Sequence, residues 1–375
     1  MSKMKGFFIA ATGQHVGKTT TCLGLMSGLI KRHKKVGFLK PVGQEHVETE
    51  TGIHVDKDVL LFKDRFKLQD GYSNMSPVLF PRGFTRDFLD GNVNEVALQD
   101  KIVSAFQNIE SQNDCLVVEG TGHVGVGSIV NLSNAKVASL LGLKLIMIAS
   151  GGLGSCFDAI AVNKALCDAY GVPVAGVILN RVLDDKREMV LNYMEKALNK
   201  WEIPILGCIP FDPFLSNPSM KDFELLFKAT LLSGEEYHQR HFRHTRLVAT
   251  SLKNFRELIL PKQLIITPAN REDIILATLT KYWDVKMANP KDDLEAGMIL
   301  TGDEPPRQTI IEALKKANIP MLYAPVSSYK AMEMITSYTV KIRKEDKEKV
   351  QEAIELVESH IDFDKLSIVT GLKKS

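Results

Sequence analysis

The chain is short of the features that mark secreted, membrane or nucleic-acid-binding proteins. Its 375 residues include only five cysteines, Cys22, Cys115, Cys156, Cys167 and Cys208. Their odd number, wide spacing and lack of any CxxC pair argue against a disulfide framework, so reduced core residues are expected. No apolar run reaches the roughly 18 residues of a membrane span. The apolar stretch near the start runs into Gly13, Gly17 and Lys18 rather than into a cleavage site. A cytoplasmic protein with no membrane role is the expectation. Charge of one sign is also lacking: the formal net charge is +2, with basic and acidic residues interspersed. Such a balance gives no field for nonspecific nucleic-acid binding. Internal repeats and low-complexity tracts are absent as well.

What is present is the balance of a globular chain. Hydrophobic residues make up 45% and charged residues 25%. The length exceeds one ordinary core, so two domains are expected, over 1–212 and 213–375. In the first 210 positions, short β-rich runs alternate with amphipathic stretches. That pattern predicts an α/β fold in which a parallel sheet is flanked by helices. Strands are expected over 6–11, 35–39, 115–118, 144–149, 174–179 and 205–209, and helices over 19–33, 95–111, 155–170 and 186–199. The proline-rich FDPFLSNPSM after Pro210 marks the boundary. A smaller α/β domain should follow. Its expected helices cover 220–232, 271–279 and 307–317, its strands 264–267, 297–300 and 321–324. A closing helix over 344–360 places Val350, Ala353, Ile354 and Val357 on one face.

The segment TGQHVGKTT, from Thr12 to Thr20, lies between the first expected strand and the first expected helix. A strand, a glycine-containing turn and a helix opened by Gly-Lys-Thr present backbone N–H groups to phosphate. Gly17 lets the backbone approach, Lys18 would neutralise phosphate oxygens, and the Thr19 hydroxyl would sit on Mg2+. Thr12, Gly13, Gln14, His15, Val16 and Thr20 complete the expected nucleotide cradle. The usual glycine five positions before Gly17 is replaced by Thr12, with Gly13 beside it, so the loop should curve differently. A phosphate loop also needs an acid at a neighbouring strand end. Glu119 supplies it, followed by the glycine-rich GTGHVGVG. Lys40 ends the second strand and should emerge on the same sheet edge as Lys18. Asp58 can serve as a second metal ligand if its helix folds over the loop, and otherwise is a surface acid.

These residues resemble, in order, the motifs of dethiobiotin synthetase and its relatives. ATGQHVGKT matches the phosphate loop, KPVGQ the substrate lysine, DVLLF a metal aspartate, VVEGTG the metal glutamate, and LNRV with CIPFD the adenine contact. The resemblance implies ATP and Mg2+ at Lys18, Thr19, Asp58 and Glu119, a catalytic role for Lys18 and Lys40, and a base contact from Asn180. The chain departs from that family at Ala11, Gly13, His15 and Gln44. A closer resemblance is to the N-terminal region of long phosphotransacetylases, where EGTGHVGVGSIVNLSNA-like phrases precede a DRTGG domain. ITPANREDIILA and GMILTGDEPP resemble its two signature stretches, with Asn270 and Asp303 as departures. The resemblance covers nearly the whole chain. It implies a small-molecule substrate or effector, a homodimer and an acetate-pathway enzyme partner. Acetyl transfer is not expected from this chain, and no glutaminase with a nucleophilic cysteine is evident.

Two functions compete: an ATP- and Mg2+-dependent phosphoryl transfer to a carboxylate or carbamate, and a nucleotide-sensing regulatory module. GTP is disfavoured because no NKxD segment occurs, and a partitioning ATPase because the signature lysine of those loops is missing. Three further segments are worth following. YHQRHFRHTR spaces His238, His241 and His244 like ligands or like a solvated connector. Gly151, Gly152, Gly154 and Ser155 form either an anion site or a tight turn. Arg271, Asp273 and the Thr301-Gly302 turn form either a ligand site or a helix cap.

Overall fold

Phe7, Phe8 and Ile9 form a continuous apolar run, the pattern of a strand covered on both faces. In the computed structural model, which describes residues 6–372, this run is β1, Gly6–Ala11, with all six residues buried. By contacts the chain forms two compact units, Met1–Asp212 with Ile342–Ser375, and Pro213–Lys341.

In the first unit β1 is joined by β2, Val36–Leu39, β3, Cys115–His123, β4, Leu145–Ser150, β5, Val174–Val182, and β6, Ile205–Pro210. All pairs are parallel, in the order β6-β5-β4-β1-β3-β2. Helices cover both faces. A Cβ on Gly37 would meet Ile109 of α3, Glu95–Gln112, whereas its neighbour Phe38 stacks on Phe62 of α2, Lys57–Phe66. The helix after β1 is α1, Lys18–Ile30; further along lie α4, Asn134–Leu140, α5, Gly154–Ala169, and α6, Arg187–Asn199.

The second unit has its own sheet of five strands: β7, Leu231–Ser233, β8, His244–Leu247, β9, Gln263–Pro268, β10, Gly297–Thr301, and β11, Met321–Ala324. Their order is β7-β11-β10-β9-β8, with only β7 antiparallel. Ile265, Met298 and Leu300 bury one face with Ile274 and Ile275 of α8, Glu272–Ala288, and Ile310 and Leu314 of α9, Gln308–Ala317. Leu264, Ile266, Ile299 and Leu322 bury the other with Met220 and Phe223 of α7, Met220–Phe227, and partly buried Met332 and Ile335 of α10, Ser328–Ser337.

Two expectations are corrected here. The helix expected over 220–232 stops at Phe227, because Lys228 turns left-handed at φ 52° and closes the helix on the Glu224 carbonyl. Leu231 and Leu232 then enter β7, with the Leu231 N–H held by the Glu224 carboxylate at 2.9 Å. The closing helix, expected in the second domain, returns to the first unit. It is α11, Lys347–Glu358, followed by α12, Phe363–Thr370, which was not expected. Its apolar face meets α1, where Gly24 admits Val357 and Gly28 admits the Phe363 ring. Glu358 binds Ser27 and Lys31, while Arg32 lies 4.2 Å over Phe363. Among the described residues no helix is long and apolar enough to cross a membrane.

Candidate functional site

The loop from Thr12 to Gly17 crosses the carboxyl edge of the first sheet. Gly17 holds φ 94° as the residue preceding α1, a conformation that costs an L-residue roughly 1–2 kcal/mol. A Cβ there would also fall 2.2 Å from Asn180 Nδ2. At Gly13 neither constraint applies: a Cβ would meet only Val16, at 3.6 Å. The altered curvature instead falls at His15, whose φ is 58°. The first turn of α1 has no side-chain cap and no acid, so its N–H groups and positive dipole end face outward for an anion.

The Lys18 ammonium makes no hydrogen bond or ion pair with any described residue, although the Glu119 and Asp58 charges act on it. Burial and the neighbouring Lys40 push its ammonium below the ordinary lysine range. Lys40 is treated in the opposite way. The register sets Leu39 opposite Val118, which brings Lys40 level with Glu119. Its ammonium lies 2.9 Å from Glu119 Oε1 and 2.6 Å from Asp58 Oδ2. Burial alone would lower its pKa, but Asp58 and Glu119 hold it well above the ordinary value. Asp58 reaches this point because Asp56 caps α2, its Oδ1 accepting the Asp58 N–H at 3.0 Å, so the helix starts over the sheet edge. The Thr19 hydroxyl lies 3.4 Å from both Asp58 Oδ1 and Glu119 Oε1. The structure thus brings Lys18, Thr19, Lys40, Asp58 and Glu119 together.

Thr19, Asp58 and Glu119 offer only hard oxygen donors. Mg2+ takes one or two carboxylates and completes its shell with water and phosphate oxygens, so this set fits it. The buried Glu119 Oε2 has no N–H or O–H partner, an oxygen suited to a cation or its water. No group of three or more His, Cys, Asp or Glu with metal-binding geometry occurs among the described residues. The metal reading therefore depends on the threonine and on a nucleotide.

Several contributors were not expected from sequence. Asp56 is buried near Lys40, and desolvation pushes its carboxyl up to about 6. Cys22, one turn along α1, packs against Glu119, and burial pushes its thiol well up. Asn163 on α5 is more telling. Its Nδ2 donates to the Thr12 carbonyl at 3.0 Å, and its Oδ1 accepts the Val124 N–H at 3.1 Å. One side chain therefore ties the phosphate loop to the glycine-rich loop after Glu119. Asn134 fixes the same second loop through the backbone of Thr121 and His123. Asn163 belongs to no local motif, and Asn134 stands near the end of the EGTGHVGVGSIVNLSNA phrase without its role being legible there.

Asn180, expected at a base, braces the loop. Its Nδ2 donates to the Val16 carbonyl at 2.8 Å and its Oδ1 accepts the Arg181 N–H at 2.9 Å. Gly151 donates its N–H to the Asn180 carbonyl at 2.6 Å, continuing the β4–β5 pairing past Ser150. In the second unit the histidine-rich segment is divided. His238 pairs with Glu224, Arg240 with Asp293, His241 meets the Phe214 ring edge-on, and His244 enters β8. Arg271 grips Asp273 through two hydrogen bonds, and Thr301 pairs with Ser328.

Comparison with known proteins agrees with this architecture. The family model described as AAA domain matches residues 5–219, and the model described as DRTGG domain matches residues 226–338. The phosphate acetyltransferase of Pseudomonas putida is 29% identical over 374 residues, covering 96% of this chain and 51% of the relative. The ATP-dependent dethiobiotin synthetase of Bacillus subtilis subsp. natto is 26% identical over 207 residues, covering 55% of this chain and 87% of the relative. The chain spans about half the length of the phosphate acetyltransferases it matches. Among solved structures, the MinD cell division protein of Aquifex aeolicus aligns with TM-score 0.36 and 16% identity, covering 56% of this chain and 84% of that one. The chain belongs to the AAA domain family of P-loop NTPases, joined to a DRTGG domain in an arrangement related to the N-terminal region of phosphate acetyltransferases.

Proposed function

We propose that this chain is a nucleotide-sensing regulatory module that binds ATP with Mg2+ in its P-loop unit and a small-molecule effector in its DRTGG unit. The observation that carries the reading is Lys18: a partly buried cation without an ion-pair partner at an uncapped helix N-terminus, beside carboxylates already neutralised by Lys40. Such a site is built to gain an anion. Thr19, Asp58 and Glu119 would hold the metal, and the backbone from Thr12 to Thr20 would cradle the phosphates. Asn180 would keep that cradle in shape. The match to one half of the phosphate acetyltransferases, through both domains, supports an effect on an acetate-pathway enzyme. A homodimer in the cytoplasm belongs to the same proposal. Isothermal titration of ATP with Mg2+ tests it: micromolar binding with negligible turnover is expected, and binding should collapse in Lys18→Ala.

A second reading is an ATP-dependent ligase acting on a carboxylate or carbamate. It is favoured by Lys18 and Lys40 converging on one sheet edge and by the dethiobiotin synthetase match. Lys18 and Lys40 would then steady the transferred phosphoryl group. Sustained ADP formation that depends on a defined acid and amine would establish this reading and displace the first.

A further inference from the structure

We infer that Lys40 is a resident cation of the carboxylate pair, and that a divalent metal binds there only by displacing it. The inference rests on reading Thr19, Asp58 and Glu119 as the metal's oxygen set. Four distances carry it. The ammonium lies 2.9 Å from Glu119 Oε1, the same oxygen that lies 3.4 Å from the Thr19 hydroxyl. Asp58 divides its oxygens, Oδ2 to Lys40 at 2.6 Å and Oδ1 toward Thr19 at 3.4 Å. Lys40 therefore occupies Glu119 Oε1, the carboxylate oxygen it shares with Thr19, and holds Asp58 by the oxygen turned away from Thr19.

A fully buried carboxylate without a counter-charge is strongly unfavourable. Glu119 is 0% exposed, so its ionised form needs a cation beside it. Lys40 fills that need in the absence of metal. A divalent ion bound to Oε1 would meet the ammonium at close range in a site of low dielectric, where like charges repel strongly. The two cations thus exclude one another. The backbone of Lys40 is not free to follow: its N–H is bonded to the Met75 carbonyl at 2.8 Å, and Val42 and Gly43 pair with Val78 and Leu79. The side chain can move on its four-carbon stem, and that is the coordinate of the exchange.

Two consequences follow. Metal alone binds weakly, because it must expel an ion pair. Nucleotide adds phosphate oxygens to the metal's shell and so favours the exchange, which makes metal and nucleotide binding mutually cooperative. Occupancy of the site is thereby converted into the position of one lysine.

The test is a Mn2+ titration of the whole chain, followed by electron paramagnetic resonance, with and without ADP, on wild type and Lys40→Met. Lys40→Met should bind Mn2+ without ADP about ten-fold more tightly than wild type, and lose most of the cooperativity. Equal or weaker Mn2+ binding by folded Lys40→Met overturns the exchange. If wild type holds no Mn2+ even with ADP, the metal assignment falls with it. If it holds Mn2+ with ADP while Lys40→Met gains nothing, the exchange alone is wrong. Should Lys40→Met fail to fold, reductive methylation of wild type read by mass spectrometry decides. Lys40 should be protected without metal and become reactive at saturating Mn2+; unchanged protection overturns the inference.

Discussion

Lys18 and Arg271 both follow the carboxyl end of a parallel strand and both stand at the start of a helix, yet the fold uses them in opposite ways. Arg271 is neutralised by Asp273, two residues on, through hydrogen bonds of 2.8 and 2.9 Å. Lys18 has no such partner, while the acids beside it are claimed by Lys40. At the edge of the second sheet the buried atom left over is a neutral hydroxyl, Thr267 Oγ1; at the first it is a carboxylate oxygen, Glu119 Oε2. A buried polar atom without a hydrogen-bond partner is costly, and an unpaired cation beside it invites an anion from outside the chain. An arginine closed on its own helix is already complete. The difference supports the proposal that a ligand binds at the first edge.

The largest test of that contrast is a pair of substitutions. Lys18→Ala should weaken nucleotide binding by about 100-fold, since a charge-assisted phosphate contact contributes about 1.5–3 kcal/mol. Arg271→Ala should leave nucleotide affinity unchanged and lower stability by under about 1 kcal/mol. Equal losses of affinity in the two variants, measured by calorimetry, would erase the distinction.

Next comes the shape of the loop. Gly17→Ala must accept φ 94° and an overlap with Asn180, so a loss of about 2 kcal/mol in urea denaturation is expected, together with lost nucleotide binding. Gly13→Ala, which meets only Val16, should change stability by less than about 0.5 kcal/mol.

Gly28→Ala sharpens the role of the C-terminal return. On an exposed helix face this change stabilises by about 1 kcal/mol. Here the new methyl would lie 2.0 Å from the Phe363 ring, so destabilisation by about 1–3 kcal/mol is expected instead. A rise in the urea midpoint would mean that α12 does not pack on α1.

Asn163→Ala should lower nucleotide affinity by roughly ten-fold while the circular dichroism spectrum stays unchanged, since it removes one buried bridge between two loops. Faster hydrogen exchange at the Val124 amide should accompany the loss. The smallest effect concerns the second unit. Burial alone would raise the Glu224 pKa, but the Leu231 N–H, Lys221 and His238 lower it below the ordinary value. A carboxylate with a depressed folded pKa stabilises the protein above its unfolded pKa and loses that contribution as pH falls through the folded one. Thermal melts from pH 6 down to the acid side of 4.5 should show this loss, worth about 1 kcal/mol, in wild type and not in Glu224→Gln.

Much of the site was legible because its signals are local. The strand run before Thr12, the Gly17-Lys18-Thr19 step and the acid at Glu119 each occupy a few consecutive residues. Lys40 could be placed at the same edge because strand length sets where a side chain emerges. Spacing alone left Asp58 open and only the resemblance assigned it, since its position depends on α2 beginning over the sheet, a fact set by Asp56 as cap and by Phe62 stacking on Phe38. The closing helix was recognised by its apolar face, but an apolar face does not say what will cover it. Gly24 and Gly28 on α1 receive that face, and in sequence they read as indifferent helix residues.

By itself, the sequence determined that a glycine loop and a lysine would stand at the start of a helix after a buried strand, because that geometry follows from neighbouring residues. Only the tertiary structure decided which charges would be left over there. Thr19 and Glu119 stand 100 positions apart, and Lys40 and Glu119 stand 79 apart. Whether such groups meet depends on strand order and register, which no local pattern carries. The phosphate loop was readable in nine letters; the pairing of Lys40 with Glu119 and Asp58 was not.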